Sequence, residues 1–302
     1  MRAIVNTPAT GDVAFREVAA PQPGPGDVLI DLRAVSVNRG EILNLPGNAE
    51  GWRPGWDVAG VVAQTGNGFT AGQRVVALSL ADGSWAEQIA VPAEAVAVIP
   101  DALGFAEAAT LPVAALAALR LIRESGTLLG RRVLLTGAAG GVGRILVQLA
   151  AAAGARVTAV AGNAERGKGL DALGAAEVIT DVNAAEGPFD AVYESAGGAS
   201  LTAALNLVGP GGTVYSYGNS SGETTPVSFF QFFGGHEQAV LRHFLFVTGA
   251  PIGADLATLA QLVAEGRLAA EISLVRDWAE VNEVLAAVRD RQVTGKAVLT
   301  IG

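Results

Sequence analysis

The sequence predicts an α/β protein built from two unlike parts, a compact barrel of short strands followed by a doubly wound parallel sheet. Three observations carry that prediction. Up to about residue 100 the chain offers only short apolar stretches, Val28-Ile30, Val58-Val62, Arg74-Ala77 and Ile89-Val91, separated by glycine and proline clusters. From Arg131 onward, apolar strand-length runs alternate with helical patterns, the pitch of parallel strands joined by right-handed crossovers. At the start of that alternation, Arg131–Ala150 reads RRVLLTGAAGGVGRILVQLA: a buried strand, a glycine-rich turn and a helix.

In order, Pro21-Gln22-Pro23-Gly24-Pro25-Gly26-Asp27 is a rigid connector, and Gly66-Asn67-Gly68 is a turn. Phe105 to Leu121 has helical spacing broken at Pro112. Val133-Leu135 then leads to a helix over Ile145-Ala153, Val157-Val160 to a helix over Ala164-Leu173, and Val178-Ile179 and Ala191-Val192 are strands. A helix over Leu201-Leu207, a strand Val214-Tyr217, a strand near Leu241-Val247 and a helix over Leu256-Glu265 follow. The tail reads as a strand (Ile272-Val275), an amphipathic helix (Trp278-Arg289) and a strand (Ala297-Ile301).

Composition narrows the function. In 302 residues, half are hydrophobic, enough for a large core. A net charge of -9 disfavours nucleic acid and anionic membranes as partners, so an anionic cofactor needs a local cationic pocket. No cysteine is present, which removes disulfides and cysteine-ligated zinc; only His236 and His243 supply imidazole, and neither is given a role. The N-terminus lacks a signal-peptide pattern, and the richest apolar run, Ala108 to Ile122, contains Pro112 and Arg120. The expectation is a cytoplasmic protein.

Strand, glycine turn and helix N-terminus in that order make a dinucleotide site: free backbone N–H groups and the helix dipole meet the pyrophosphate, and glycine admits close approach. The alternative is a tight connection without a ligand. The acidic residue that would receive an NAD ribose at the end of the next strand is missing from Val157-Thr158-Ala159-Val160-Ala161-Gly162-Asn163. Arg166 and Lys168 follow. Cations there suit a 2′-phosphate, and the predicted cofactor is NADPH. Against it stand two alternatives: that both are solvated surface charges, and that Glu165 turns inward as an NAD ligand.

The chain resembles the medium-chain dehydrogenase/reductase superfamily, and within it the zinc-free, zeta-crystallin-like NADPH:quinone oxidoreductases. The resemblance is carried by Ser36-Val37-Asn38, Pro54-Gly55-Trp56-Asp57-Val58-Ala59-Gly60, Gly72-Gln73-Arg74-Val75, Gly83-Ser84-Trp85-Ala86-Glu87, Leu134 through Gly143, Pro210-Gly211-Gly212-Thr213 and Thr294-Gly295-Lys296. It implies a GroES-like β-barrel catalytic domain (1–111), a Rossmann cofactor domain (112–267) and a C-terminal return to the catalytic domain (268–302). The turn matches the family form Ala138-x-Gly140-Gly141-x-Gly143. Zinc-using relatives place a Cys in the stretch matching Ser36-Val37-Asn38 and a His-Glu pair at Trp56-Asp57; with neither Cys nor His here, no metal site is expected.

Expected cofactor residues are Asn38, Ala139, Gly140, Gly141, Val142, Gly162, Asn163, Arg166, Ser195, Ala196, Gly218 and Asn219. Arg166 aligns with the basic residue that related reductases use for the 2′-phosphate, whereas Asp181 stands where some relatives place a phosphate-binding tyrosine. Asn38 and Glu41 are the candidate catalytic residues, with Asn44 on the same helical face; the plain alternative for Asn38 is a helix cap. Trp52, Trp56 and Phe233 would wall a planar substrate, or simply pack. The phenylalanines at 229, 230, 232, 233, 244 and 246 suggest an interface or a substrate entrance, and the strand near Leu241-Val247 suggests a homodimer. The expected reaction is zinc-independent hydride transfer from NADPH to a quinone, since a quinone needs neither a metal nor a strong acid at its oxygen. The alternatives are an enone or enoyl reductase, which needs a proton donor such as tyrosine, and a non-catalytic NADPH-binding protein.

Overall fold

A computed structural model describes residues 1–9, 11–249 and 251–302. The chain forms two compact units, one of Met1–Leu116 with Gly249–Gly302, the other of Ala117–Thr248.

In chain order the first unit begins with β1 (Arg2–Thr7) and β2 (Asp12–Glu17), an antiparallel pair. β3 (Asp27–Val37), helix α1 (Arg39–Asn44), β4 (Asp57–Val62), β5 (Arg74–Leu78), β6 (Gln88–Pro92) and β7 (Val96–Val98) follow. Both β1 and β7 fall in stretches that sequence spacing left unassigned. The predicted helix over Phe105-Leu121 resolves into α2 (Phe105–Ala108), a π-turn at Leu111–Ala115 holding Pro112, and α3 (Leu116–Glu124). The proline N–H is missing from the ladder, and the wider turn absorbs that loss.

The second unit continues with β8 (Arg132–Thr136), α4 (Gly141–Ala152), β9 (Arg156–Val160), α5 (Ala164–Gly167), β10 (Ala175–Ile179), β11 (Phe189–Glu194), α6 (Gly198–Leu205), β12 (Val208–Ser216) and β13 (Val240–His243). Its six strands are ordered β10-β9-β8-β11-β12-β13, and every pairing is parallel. Counted from β8 this is the 3-2-1-4-5-6 order of a Rossmann sheet, and the order reverses between β8 and β11. Residues such as Leu134, Val192, Val208 and Val214 are fully buried between the layers. α5 is much shorter than the predicted helix over Ala164-Leu173: Gly167 ends it, and Gly169 sits at φ +79°.

The chain then returns to the first unit through α7 (Ile252–Ala264), β14 (Ile272–Asp277), α8 (Val281–Arg289) and β15 (Lys296–Thr300). β15 pairs antiparallel with β3, completing the sheet β14-β15-β3-β4-β5-β7, with β6 also on β3. Trp278, Val284, Leu285 and Leu299 join the barrel core around Ile30, Val58 and Trp85. α7 belongs with the barrel unit, where Gly253 backs onto the Val96 carbonyl. The units therefore divide at Leu116/Ala117 and Thr248/Gly249, whereas sequence placed the divisions after residues 111 and 267. Among the described residues, no helix is long and apolar enough to cross a membrane.

Candidate functional site

In the second unit, the glycine turn joins β8 to α4. Gly137 takes φ +64°, and Gly140 caps the helix with extended backbone. A methyl on Gly143 would come within 2.7 Å of the Ala138 Cα, so only glycine lets the first turn of α4 lie this close to the strand end. Ala139, Gly140, Gly141 and Val142 thus stand at the N-terminus of a twelve-residue helix.

Beyond β9, Gly162 is exposed, and Asn163 caps α5 through its side chain, which accepts from the Arg166 N–H at 2.9 Å. Glu165 is exposed and ion-paired with Lys168, so its carboxylate points to solvent rather than inward. Asp181 is occupied capping the next turn, accepting from the Asn183 N–H.

At the switch point the polar groups of β8 and β11 are joined by a residue that sequence reasoning missed. Glu194, fully buried, accepts from Thr136 Oγ1 (3.0 Å), the Ala196 N–H (3.0 Å), the Gly197 N–H (3.0 Å) and Ser200 Oγ (2.9 Å). With four donors on its two oxygens, the carboxyl group is well satisfied despite burial. It fixes the Ser195-Ala196-Gly197 backbone. That loop is bound in turn to the one after β12, through Ser220 N–H to Ser195 O (2.9 Å) and Ser221 N–H to Ala196 O (2.8 Å). Ser195, Ala196, Gly218 and Asn219 are thus brought together at one edge of the sheet. The available signal was an acidic residue closing an otherwise apolar strand, Ala191-Val192-Tyr193-Glu194.

The three tyrosines are in this unit. Tyr193 donates to Ser125 Oγ at 2.7 Å, and Tyr215 donates to the Glu124 carbonyl at 3.4 Å. The Tyr217 hydroxyl is buried beside Ser195 but outside hydrogen-bonding geometry, and burial raises its phenol above the ordinary range. His236 is tied to the Val208 carbonyl, and His243 lies exposed on β13. Phe229, Phe230 and Phe233 stack on one another and are largely exposed.

In the first unit, a buried polar cluster forms where β3, β4 and β15 meet. Asp57 opens β4, and its Oδ2 accepts from Ser36 Oγ, from Asn38 Nδ2 (2.8 Å) and from Lys296 Nζ (3.4 Å). Its Oδ1 accepts from the Val113 N–H at 2.9 Å. Lys296 also donates to Asn38 Oδ1 at 2.6 Å. Ser36 and Asp57 are fully buried and Lys296 is 3% exposed.

Asn38 stands at the N-cap of α1, as the plain alternative expected, but its amide is engaged with Lys296 and Asp57. Glu41 is buried three residues on. Its two oxygens accept the N–H groups of Asn38 (2.7 Å) and Trp56 (2.8 Å), so it braces backbone rather than facing a ligand. Burial first, then the Asp57 charge, push its carboxyl up to about 8. Asn44 is exposed at the end of α1 and does not join the cluster. Trp52 and Trp56 are drawn together by Asp82, which accepts from both indoles, at 3.3 and 2.5 Å. Phe233 belongs to the other unit.

Among the described residues, no group of three or more His, Cys, Asp or Glu is placed to hold a metal ion. At the position of the zinc-using relatives' ligands, both oxygens of Asp57 are already engaged by four protein donors.

Two family models match: an alcohol dehydrogenase GroES-like domain over residues 24–101 and a zinc-binding dehydrogenase domain over residues 141–265. The chain belongs to the medium-chain dehydrogenase/reductase superfamily. Within this superfamily it is 37% identical to the chloroplast envelope quinone oxidoreductase homolog of Arabidopsis thaliana, over 60% of this chain and 63% of that protein. It is 33% identical to prostaglandin reductase-3 of Bos taurus, over 70% of this chain and 60% of that protein. The structure of mycobacterial Rv1454c complexed with NADPH superposes with a TM-score of 0.88, at 26% identity over 100% of both chains. Other curated relatives include far longer polyketide synthases, of which the chain spans between 8% and 15%.

Proposed function

We propose that the protein is a zinc-independent, NADPH-dependent oxidoreductase that reduces a quinone. When bound, NADPH supplies a hydride from its nicotinamide C4; a quinone accepting it becomes a hydroquinone monoanion, which one proton from water completes. The Rossmann unit's residues fit the cofactor. Ala139, Gly141 and Val142 would offer backbone N–H groups to the pyrophosphate, while Gly140, whose own N–H meets the Gly137 carbonyl, holds the turn beside it; the space at Gly143 that a side chain would fill keeps that backbone close to the strand end. Gly162, Asn163 and Arg166 would hold the adenosine ribose and its 2′-phosphate, Ser195 and Ala196 the second ribose, and Gly218 and Asn219 the nicotinamide.

Preference for NADPH is supported by the non-acidic end of β9 and by Glu165, which faces solvent in its ion pair with Lys168. Replacing Arg166 with Ala removes a charge-assisted bond to the 2′-phosphate, costing roughly 1.5–3 kcal/mol, about 10- to 150-fold in NADPH affinity. NADH affinity is expected to stay within about threefold. Equal losses for both cofactors would remove Arg166 from this role.

One observation carries the choice of quinone. In the barrel cluster the acidic and basic groups are spent on one another and on backbone, which, among the described residues, leaves the second Asn38 Nδ2 hydrogen as its outlet. One N–H donor suffices for a quinone oxygen, whose anion is already delocalised, and does not suffice for a simple ketone. A second reading, reduction of an α,β-unsaturated carbonyl, is favoured by the unpartnered Tyr217 hydroxyl and by the likeness to a prostaglandin reductase. Following NADPH oxidation with a small ortho-quinone and, separately, with an enone decides between them. The first reading expects turnover with the quinone at least tenfold faster in kcat/KM; the reverse order establishes the second. The same proposal includes a homodimer paired through β13, an edge strand of the Rossmann sheet, and a cytoplasmic location.

A further inference from the structure

We propose that Lys296 is the positioning residue of the reaction: its ammonium locks the Asn38 amide so that one Nδ2 hydrogen is presented to an acceptor oxygen of the substrate or nicotinamide. This rests on the proposal that Asn38 meets the bound ligands. Lys296 was noticed in the sequence only as part of the closing Thr294-Gly295-Lys296, with no role attached.

The chemistry of the two partners fixes which way the amide faces. An asparagine oxygen and nitrogen are near-identical in shape, and between neutral neighbours either orientation is often tolerated. Here the neighbours are charged. An ammonium has only donors, so the group 2.6 Å from Lys296 Nζ is the amide oxygen. An ionised carboxylate has only acceptors, so the group 2.8 Å from Asp57 Oδ2 is the amide nitrogen. Flipping the amide would set N–H against N–H at one end and oxygen against oxygen at the other.

Counting donors and acceptors then isolates one group. Lys296 has three hydrogens, and its partners are Asn38 Oδ1 (2.6 Å), Asp57 Oδ2 (3.4 Å) and the Val37 carbonyl (3.5 Å). Asp57 accepts from Ser36, Asn38, Lys296 and the Val113 N–H. Asn38 Nδ2 carries two hydrogens and spends one on Asp57; the second meets no acceptor among the described residues. Asn38 is also the member with the most exposure, 8%, against 0% for Ser36, Glu41 and Asp57 and 3% for Lys296. Toward a ligand, Asn38 therefore has a donor to offer through this second hydrogen. What it recognises is a carbonyl-type oxygen, that of a quinone or of the carboxamide, and a fixed donor there stabilises charge as it develops on oxygen.

The ammonium also does what a lone amide would not. Asp57 is fully buried, and the ammonium sets a cation 3.4 Å from its carboxylate. Lys296, delivered by β15, is the cation attached to the chain beside this carboxylate.

The test compares Lys296→Met, Lys296→Arg and the uncharged pair Asp57→Asn/Lys296→Met, all with NADPH and an ortho-quinone. Lys296→Met is expected to lower kcat roughly 30- to 300-fold while NADPH affinity, read by fluorescence titration, stays within about threefold. Lys296→Arg, which keeps the donor charge, is expected to recover kcat to within about tenfold of the native protein. If Lys296→Met does not fold, the uncharged pair takes its place, since removing both charges of a buried pair is far less costly than removing one; it is expected to fold and to remain slow. A folded variant with native kcat overturns the proposal. A second readout is independent of turnover: the Asn38 side-chain amide, assigned as the nitrogen-15 signal lost in Asn38→Ala, is expected to lose at least tenfold in hydrogen-exchange protection in Lys296→Met or in the uncharged pair. If the native protein reduces no quinone but that protection is lost, positioning stands and the quinone reading falls. Unchanged protection overturns the positioning role whatever the activity.

Discussion

Glu41 illustrates how far a side chain's chemistry depends on what surrounds it. Its spacing from Asn38 suggested a shared catalytic face, but its oxygens hold the N–H groups of Asn38 and Trp56 inside the barrel. Its carboxyl is raised from 4.5 to about 8. Because the folded form holds the proton more tightly than the unfolded chain, the associated stability is fully present below the ordinary value and is lost as pH rises through about 8. Unfolding free energy is expected to fall by on the order of 1–3 kcal/mol between about pH 5 and pH 8, and Glu41→Gln to flatten that dependence. Urea titrations across this range check it; a native protein whose stability rises over the same interval would contradict the assignment.

Much of the site was legible at this scale, and the reasons are physical. The glycine turn announces itself because close backbone approach admits one residue type, as the crowding at Gly143 shows. Asn38 was found through the resemblance, and Asp57 was considered only as half of a lost zinc pair. Lys296 and Glu194 were not found. Each acts on residues distant in sequence, Lys296 on Asn38 and Glu194 on Thr136, and strand pairing brings them together in a way no local spacing encodes.

At the scale of elements, the alternation from Arg131 onward predicted the parallel sheet well because its central strands, β9, β8 and β11, are buried on both faces and helices must cover them. The short pieces were harder. β7 pairs with β5 through three residues, and α5 stops at Gly167 although the apolar pattern runs on to Leu173. The junction of β11 with α6 depends on Glu194. In Glu194→Gln, one amide N–H must face a backbone or hydroxyl donor, so a loss of roughly 1–3 kcal/mol in stability is expected. NADPH binding is expected to weaken about tenfold as the Ser195-Ala196-Gly197 backbone loosens. Denaturant titration and cofactor titration measure the two effects. Native values for both would mean that the carboxylate is not what holds this loop.

For the whole molecule, the chain crosses from barrel to Rossmann sheet and back, so that β15 delivers Lys296 beside residues of β3 and β4. β13 is one of the two edge strands of the Rossmann sheet, with Val240 42% and Leu241 37% exposed. An apolar, unpaired edge invites pairing with a second copy. Light scattering is expected to give a dimer, and Leu241→Asp a monomer; a native monomer would contradict the pairing.

The central claim is direct hydride transfer from NADPH to a quinone without a metal. A single-turnover experiment tests it: protein treated with a strong chelator and dialysed, loaded with NADPH deuterated at either face of C4, is mixed anaerobically with an ortho-quinone. The account predicts rapid NADPH oxidation unaffected by the chelator, with a primary deuterium isotope effect from one face of the ring only. No oxidation until zinc is restored, or oxidation with no isotope effect from either face under conditions where chemistry is limiting, would contradict it.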